Sequence, residues 1–437
     1  MNKNDSYHVG QGGVSVVGSR LGIVSPPVRR PLTGSSPAAL RYWQAEVSET
    51  RDFGAPVPGS GVAGCSWWDD TSACAAAVSE GCERYCGSLV PSGLLTASWA
   101  ELTSAGVSAV DPASLALYSS DQLDDPGFPF SAFTRDLPVR WVEGKTMTAG
   151  VATSVPASLV YLSWLTGRSA HEPRTNLPVS AGIAASNSAS DAAAAALGEV
   201  LERDALATAW ITGTPMPRLV VPDWIAELVA GNGSGLDLRI HLVQNPDRLP
   251  VVFAVLVDHA TGLLGTGCAL RNTTTDSALK AVAEAAVSLT SVENLSRVDS
   301  PLLARLSGPA GPLKRWRSDR RYRSSYRGDW ADVVDIACHL QLLVDPAFQA
   351  DVLQRLDALG GATTTVADEA PRGIDARTII GSGAVAVEVT TPDVAAGGRH
   401  VVRVVVPGRR STTPAAFPQL GGLDPRHELC LLPVPHA

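Results

Sequence analysis

The sequence contains very little lysine. Of its 437 residues only four are lysines, and none belongs to a G-x₄-G-K-[ST] phosphate loop. The chain also lacks the H-E-x-x-H zinc helix and the G-x-S-x-G nucleophile elbow. These absences argue against P-loop nucleotide binding, zinc-helix proteolysis and elbow-type hydrolysis. Phosphate groups bound by this chain would therefore have to be neutralised by magnesium and arginine.

Long apolar runs and paired cysteines are missing too. The longest apolar run, residues 249–257, is far short of the ~20 residues of a membrane span and predicts a buried strand. Residues 1–13 lack the apolar core of a signal peptide, and the seven cysteines are odd in number and scattered. A net charge of −8 gives no general attraction to nucleic acid or anionic membranes. We expect a cytoplasmic protein that binds neither.

An Ala-rich stretch stands out among the remaining features. Residues 180–210 read SAGIAASNSASDAAAAALGEVLERDALATAW, which predicts a helix beginning near Ser188 or Ser190. Glu199 and Glu202 are three apart and share one helix face, so they could hold a hydrated cation and the phosphates it carries. Glu199 and Arg203 are also spaced for an ordinary surface ion pair, worth about 0.2–0.5 kcal/mol, and this stretch alone does not decide between the two interpretations.

The same pattern occurs elsewhere in the chain. Residues 72–86, SACAAAVSEGCERYC, repeat the spacing with Glu80, Glu83 and Arg84. A weaker copy at 277–288 keeps Glu284 but has no second glutamate and no arginine. Each copy follows a predicted glycine-containing turn. Repetition at irregular spacing predicts a duplicated supersecondary unit rather than a solenoid.

The paired ExxER helices resemble those of the YcaO family of ATP-dependent enzymes, which modify peptide backbones. The resemblance runs from residues 18–24, similar to the family's early nucleotide loop, to VVRVVVPG at 401–408. It implies four Mg²⁺ ligands: Glu80, Glu83, Glu199 and Glu202. It also implies ATP contacts, with Arg203 and Arg84 facing phosphate oxygens and the others nearby: Arg20, Ser180, Asn187 and Asp191.

The sequence departs from the family pattern at several places. Cys65-Ser66-Trp67 stands where the family often has a G-K-G turn before the first helix. Ala181 replaces a common Asn, Ser186 a common Gly, and Asp191 the more usual Glu. We expect these changes to alter the fine geometry of the nucleotide pocket.

Residues 219–221 and 236–243 are predicted strands, 249–258 and 263–270 a hairpin, about 275–295 the third helix, 330–359 a helical stretch with a break at Pro346, and 384–389 and 400–406 the last strands. This succession of strands and helices predicts an α/β fold with α+β layers. Mixed sheets would be covered by the three related Ala-rich helices around an ATP site. We divide the chain into an N-terminal segment (1–60), a catalytic domain (61–410) and a proline-containing tail (411–437). Residues 25–60 are expected to form a surface connection with little regular structure. In the cyclodehydratase branch of the family the C-terminal prolines enter the active site, which implies a catalytic role for Pro433 and Pro435.

The resemblance implies ATP- and Mg²⁺-dependent cyclodehydration of Cys, Ser or Thr in a ribosomally made precursor peptide. Thioamide or macroamidine formation and a non-catalytic peptide-binding scaffold are the alternatives. A leader-binding partner, E1-like or similar, and a homodimer are also expected. The one dense basic run, residues 314–327, is interpreted as a solvated loop, with contact to a leader peptide or to ATP phosphates as the alternative.

Overall fold

The computed structural model describes residues 15–20, 22–32, 35–57, 61–230, 235–309, 311–361, 363–365, 383–424 and 428–436. Two predictions fall wholly or partly outside these ranges. One concerns residues 1–13, and the other concerns the early nucleotide loop, of which Leu21 lies outside. The helices are α1 Asp70–Ser88, α2 Trp99–Ser104, α3 Ser120–Asp124, α4 Ala189–Thr212, α5 Asp223–Ala230, α6 Thr274–Ser296, α7 Pro301–Leu306, α8 Ile336–Leu342, α9 Pro346–Gly360 and α10 Pro392–Ala396.

The strands form three sheets. They are β1 Val28–Arg29, β2 Leu40–Glu46, β3 Gly61–Trp67, β4 Leu95–Ala97, β5 Val139–Thr146, β6 Ala152–Pro156, β7 Ile183–Ser186, β8 Arg218–Val220, β9 Leu236–Leu242, β10 Val251–Asp258, β11 Leu263–Leu270, β12 Thr363–Thr365, β13 Val385–Glu388 and β14 His400–Val405. The sheet orders are β1-β2-β3, β11-β10-β9-β8-β12 and β4-β5-β13-β14-β7, with β6 paired to β5. Only the β8–β12 pairing is parallel among the described strand pairs.

Three strand–helix units organise the fold, namely β3–α1, β7–α4 and β11–α6. In each unit the strand lies at the edge of its sheet and leads directly into a long helix. The helices begin at side-chain caps, Asp69, Ser188 and Thr273, whose oxygens accept from free N–H groups of the first turn. The predicted start of α4 at Ser188 is confirmed. The predicted duplication is therefore a repeated strand–helix unit.

Glycine allows the helix of a unit to approach its strand closely. A Cβ on Gly64 would lie 2.1 Å from the carbonyl oxygen of Ala73 in α1, and one on Gly267 would lie 2.2 Å from that of Ala281 in α6. These two glycines lie inside strands, so the prediction that they form turns was wrong. Their missing side chains bring helix backbone against strand backbone.

The segment 25–60 contains more regular structure than expected. Residues 40–46 form β2, which pairs antiparallel with β3 along its whole length. Leu40, Tyr42 and Ala45 are buried, because LRYWQAE places large side chains against α1 and the neighbouring strands. The prolines on either side of this strand do not interrupt it.

Most other elements agree with the prediction. The 251–270 hairpin, the helix near 275–295 and the strands near 385 and 400 are confirmed, as is the α/β class. The five-stranded sheet is mixed, and the strand pairs described in the other two sheets are antiparallel. Residues 330–335, however, are not helical, and the helix there begins at Ile336. Within the described ranges, no helix combines the length and apolar character needed to span a membrane.

Candidate active site

A large cavity of about 1460 Å³ lies between the three strand–helix units. Its wall includes Glu80, Glu83 and Arg84 from α1 and Glu199, Glu202 and Arg203 from α4. The two ExxER motifs, more than a hundred residues apart in sequence, thus face the same space. This convergence was implied by the resemblance, and helix spacing alone could not give it.

In both motifs the first glutamate binds the strand segment of its own unit. The Glu80 carboxylate accepts from the backbone N–H of Ala63 in β3 at 2.8 Å, and the Glu199 carboxylate from that of Gly182, just before β7, at 2.9 Å. An edge strand leaves such N–H groups without a strand partner. The carboxylate satisfies the donor, and the donor fixes the side chain.

The second glutamate of each motif binds the edge strand of the next unit. Glu83 accepts from Ala185 N–H in β7, and Glu202 from Leu270 N–H in β11, both at 2.8 Å. The ExxE spacing therefore connects α1 to the second unit and α4 to the third. The carboxylates are held in place by backbone donors from sequence-distant strands.

Burial and mutual repulsion make these carboxylates hard to ionise without a cation. Burial, reinforced by Glu199, raises the pKa of Glu83 to about 8, and burial raises that of Glu202 to about 8 with Glu284 adding to it. Burial also raises the pKa of Glu199. A divalent cation bound among these side chains would relieve the cost of their charge.

The carboxylates suit Mg²⁺ carried by phosphates rather than an all-protein metal cage. Among the described residues, no group of three or more His, Cys, Asp or Glu side chains converges closely enough to hold a metal ion. Mg²⁺ is commonly bound through one or two carboxylates together with substrate phosphates and water. The separated carboxylate pairs match that requirement.

The two motif arginines differ in their pairing. Arg84 donates to Glu80 at 3.2 Å. Arg203 lies 3.8 Å from Glu199 and 3.7 Å from Glu202, too far for hydrogen bonds, and its buried Nη1 has no partner. Burial opposes the charge of Arg203, but the two glutamates raise its pKa above the ordinary value. Arg203 thus keeps a charged donor free for a ligand.

The third unit contributes a lysine that sequence analysis missed. Glu284 stands ten residues after the first residue of α6, as Glu80 and Glu199 do in α1 and α4. One turn earlier, Lys280 pairs with Glu284 at 3.2 Å and approaches Cys65 Sγ at 3.6 Å. Both side chains line the cavity. The i,i+4 spacing of Lys280 and Glu284 was the signal that could have identified this pair.

Of the other four predicted nucleotide contacts, one lines the cavity and three do not. Ser180 lines the cavity, next to a backbone segment held by Arg403, which donates to the carbonyls of Val179 and Ser180 at 2.9 and 3.4 Å. Asn187, Asp191 and Arg20 are exposed and do not line it. Asp191 instead accepts from the Ser188 hydroxyl at the start of α4, at 2.7 Å. Their role in binding ATP stays a prediction.

The C-terminal tail is buried against the site. Trp210 Nε1 donates to the carbonyl of Leu432 at 2.8 Å, and the Thr266 hydroxyl donates to that of Pro435. His339 Nε2 accepts from Ala415 N–H, so its protonated Nδ1 donates to the carbonyl of Val434 at 2.8 Å. These bonds bury Pro433 and Pro435 and bring His436 to the cavity wall.

The basic run lies outside the cavity wall. Four of its seven basic side chains pair with acids, in Lys314–Asp332, Arg317–Asp319, Arg323–Asp351 and Arg327–Asp329. A loop of local ion pairs agrees with the solvated interpretation. The cavity therefore gains its positive charge from other side chains, including Arg203, Arg84 and Lys280.

The α/β fold encloses a cavity lined by carboxylates and arginines, the side chains that bind Mg²⁺ and phosphate groups. The family model described as the ATP- and Mg²⁺-binding YcaO cyclodehydratase matches residues 68–410. The chain belongs to the YcaO family. No curated protein sequence matches it.

Solved structures share the fold at low sequence identity. A heterocyclase in complex with substrate and cofactor has a TM-score of 0.64 at 18% identity, over 90% of this chain and 50% of that one, so the chain spans half of that protein's length. YcaO from Methanopyrus kandleri, bound with AMPPCP and Mg²⁺, has a TM-score of 0.58 at 15% identity, over 93% and 90%. A chain of the E. coli microcin synthetase McbBCD complex has a TM-score of 0.56 at 14% identity, over 87% of each.

Proposed function

We propose that this chain converts Cys, Ser or Thr residues of a ribosomally made precursor peptide into thiazolines or oxazolines. The observation that carries the proposal is the single cavity onto which both ExxER motifs converge. Family membership supports the reaction class, and the convergence of both motifs on one cavity supports this cavity as its site.

The reaction must activate a backbone amide carbonyl, whose carbon is a poor electrophile and whose oxygen is a poor leaving group. A side-chain thiol or hydroxyl attacks the preceding backbone carbonyl carbon and forms the new C–S or C–O bond. The carbonyl oxygen leaves as phosphate, and the side-chain and amide protons are released. ATP, when bound, supplies the phosphoryl group that turns this oxygen into a leaving group.

Glu80, Glu83, Glu199 and Glu202 would hold Mg²⁺, which would neutralise negative charge on the phosphates of ATP. Their backbone hydrogen bonds fix each carboxylate before the ligand arrives, which limits the reorganisation needed on binding. Arg203 would donate to phosphoryl oxygens through its unpartnered Nη1, with Arg84 contributing charge from the α1 side. The chemistry assigns no nucleophile to the protein.

The rest of the cavity fits an extended peptide. Part of its wall is apolar, contributed by Leu306, Val334, Ile336, Leu340 and Pro414. Of the buried C-terminal residues His436 lines this cavity, and Pro433 and Pro435 stand directly behind it in the chain, where they would help to hold the end of the tail at the site. A mixed polar and apolar wall suits a peptide that must bind through both backbone and side chains.

Capture of the precursor would involve a second protein. The E. coli microcin synthetase neighbour was solved as a complex, once with pro-MccB17 bound. By analogy we propose a leader-binding partner, E1-like or similar, for this chain, and a homodimeric arrangement in the cytoplasm.

Isotope transfer tests this proposal. Leader-bearing synthetic peptides carrying Cys, Ser or Thr after an ¹⁸O-labelled carbonyl are incubated with the chain, its co-purified partner, ATP and Mg²⁺. We expect ¹⁸O in the released phosphate and a peptide lighter by one water. Glu199→Gln should abolish both products. Replacement of the carbonyl oxygen by sulfur or nitrogen would indicate a thioamide or amidine, and absence of peptide-stimulated ATP hydrolysis would indicate a scaffold.

A further inference from the structure

Two buried groups on the cavity wall have hydrogen-bonding atoms without partners. Among the described residues, these atoms are Nη1 of Arg203 and both ring nitrogens of His436. His436 is only 4% exposed. Buried polar atoms in folded proteins are nearly always hydrogen-bonded, to protein, water or ligand. The same cavity therefore contains unsatisfied atoms on two groups that are more than two hundred residues apart in the sequence.

The imidazole of His436 is not what holds the tail in place. The tail is fixed through the backbone carbonyls of Leu432, Val434 and Pro435, which accept from Trp210, His339 and Thr266. The backbone N–H of His436 donates to Val434. The ring is thus positioned by its neighbours and remains free to contact a ligand.

The electrostatics around the ring favour an anion. Burial lowers the pKa of His436 well below its ordinary value, and the positive charges of Arg203 and, when protonated, His339 lower it further. The neutral ring still carries one N–H donor, and Arg203 adds a charged one. A ligand whose negatively charged oxygens accept from both groups would satisfy them and neutralise Arg203.

The terminal phosphoryl group of ATP has the required chemistry. It carries three non-bridging oxygens, so one can coordinate Mg²⁺ while two accept from side chains. Arg203 directly follows the proposed metal ligand Glu202, so it lies where metal-bound phosphates are expected. ADP would leave the third phosphoryl position empty.

We propose that His436 donates a hydrogen bond to the terminal phosphoryl group of ATP, together with Arg203, and is a specificity-determining residue for ATP over ADP. The inference rests on the proposed function, because it takes the carboxylate cavity to be the nucleotide site. It adds a role for the residue that follows Pro435.

Nucleotide discrimination tests this role without a peptide substrate. The affinities of AMPPCP and ADP, each with Mg²⁺, are measured by calorimetry on the full chain and on His436→Ala, His436→Gln and Leu431→Ala. In His436→Ala we expect the affinity for AMPPCP to fall at least about tenfold, because a hydrogen bond to a charged group is lost. The affinity for ADP should be nearly unchanged. His436→Gln keeps an N–H donor and should recover part of the discrimination.

Leu431→Ala is the matched control, since Leu431 is 48% exposed in the same tail and does not line the cavity. It should behave as the parent. An unchanged ratio of AMPPCP to ADP affinity in His436→Ala, or an equal loss of both nucleotides, overturns the role of His436 and leaves the proposed function standing. Failure of the parent chain to bind either nucleotide overturns the proposed function itself.

Discussion

The two ExxER helices carry the same motif but differ in the state of their arginines. On α1, Arg84 is 28% exposed and hydrogen-bonded to Glu80. On α4, Arg203 is 15% exposed, beyond hydrogen-bonding distance of both its glutamates, and has an unpartnered donor. Identical sequence motifs thus give one arginine that is already satisfied and one that is available to a ligand.

The difference follows from what surrounds each helix. The second glutamate of α1 binds β7, and that of α4 binds the buried β11, where Glu202 is only 8% exposed. Arg203 is therefore enclosed between the second and third units, whereas Arg84 lies nearer to solvent. We infer that α4 contributes more to nucleotide binding than α1, and the following predictions address that asymmetry.

The largest effect is expected for the buried carboxylate of α4. Glu202→Gln keeps a hydrogen-bond acceptor for Leu270 but removes the charge, so Mg²⁺–AMPPCP should bind at least about 100-fold weaker, beyond the usual cost of losing a supporting residue of a metal site. Glu227→Gln on the exposed face of α5 is the matched control and should bind as the parent. Calorimetry checks both. If Glu202→Gln bound Mg²⁺–AMPPCP as tightly as the parent, Glu202 would not be part of the metal site.

A smaller effect on affinity is expected when each motif arginine is replaced by glutamine. Arg203→Gln should weaken Mg²⁺–AMPPCP binding by about 10- to 100-fold, because a charged donor to phosphate is lost. Arg84→Gln should cost only about two- to fivefold, because Arg84 already pairs with Glu80. The two affinities, measured in the same buffer, give the comparison directly. Equal losses would show that both arginines contact phosphate alike.

The smallest effect concerns stability without metal. The folded chain binds protons on Glu83 and Glu202 up to pH about 8, whereas the ordinary pKa of a glutamate is 4.5. The folded state therefore holds more protons, and stability falls as pH rises from about 4.5 through 8. In EDTA we expect Tm to drop by about a few degrees over this range.

Glu83→Gln should flatten this pH dependence, as should saturating Mg²⁺–ATP in the parent, which binds the ionised carboxylates. A Tm that rises with pH in EDTA would contradict the raised pKa values. Thermal scans at constant ionic strength provide the measurement.

The sequence predicted the local elements well. Capping at Ser188, the Ala-rich helices and the 251–270 hairpin follow from propensities and patterns that act within a few residues. The glycines before each helix do matter for the fold, but Gly64 and Gly267 allow close helix–strand contact and do not form turns. That distinction depends on which helix packs over the strand, which periodicity does not specify.

The site was predicted less completely, because its geometry comes from contacts between distant segments. The backbone donors of Ala185 and Leu270 belong to strands of other units, and no local pattern points to them. Strand β2 was missed because the flanking prolines outweighed the short alternation of Leu40 and Tyr42. The spacing of Lys280 from Glu284 is recognisable in the sequence. His436 has no such local signal, because its importance depends on an unpartnered ring at the cavity wall.

We infer that α1 and α4 together build one Mg²⁺–ATP site. A double-mutant cycle by calorimetry tests this, using Glu83→Gln, Glu199→Gln and the combined variant with Mg²⁺–AMPPCP. We expect one nucleotide per chain in the parent, a large loss of affinity in each single variant, and a combined variant that binds little worse than either. Two nucleotides per chain, or losses that simply add, would contradict a shared site.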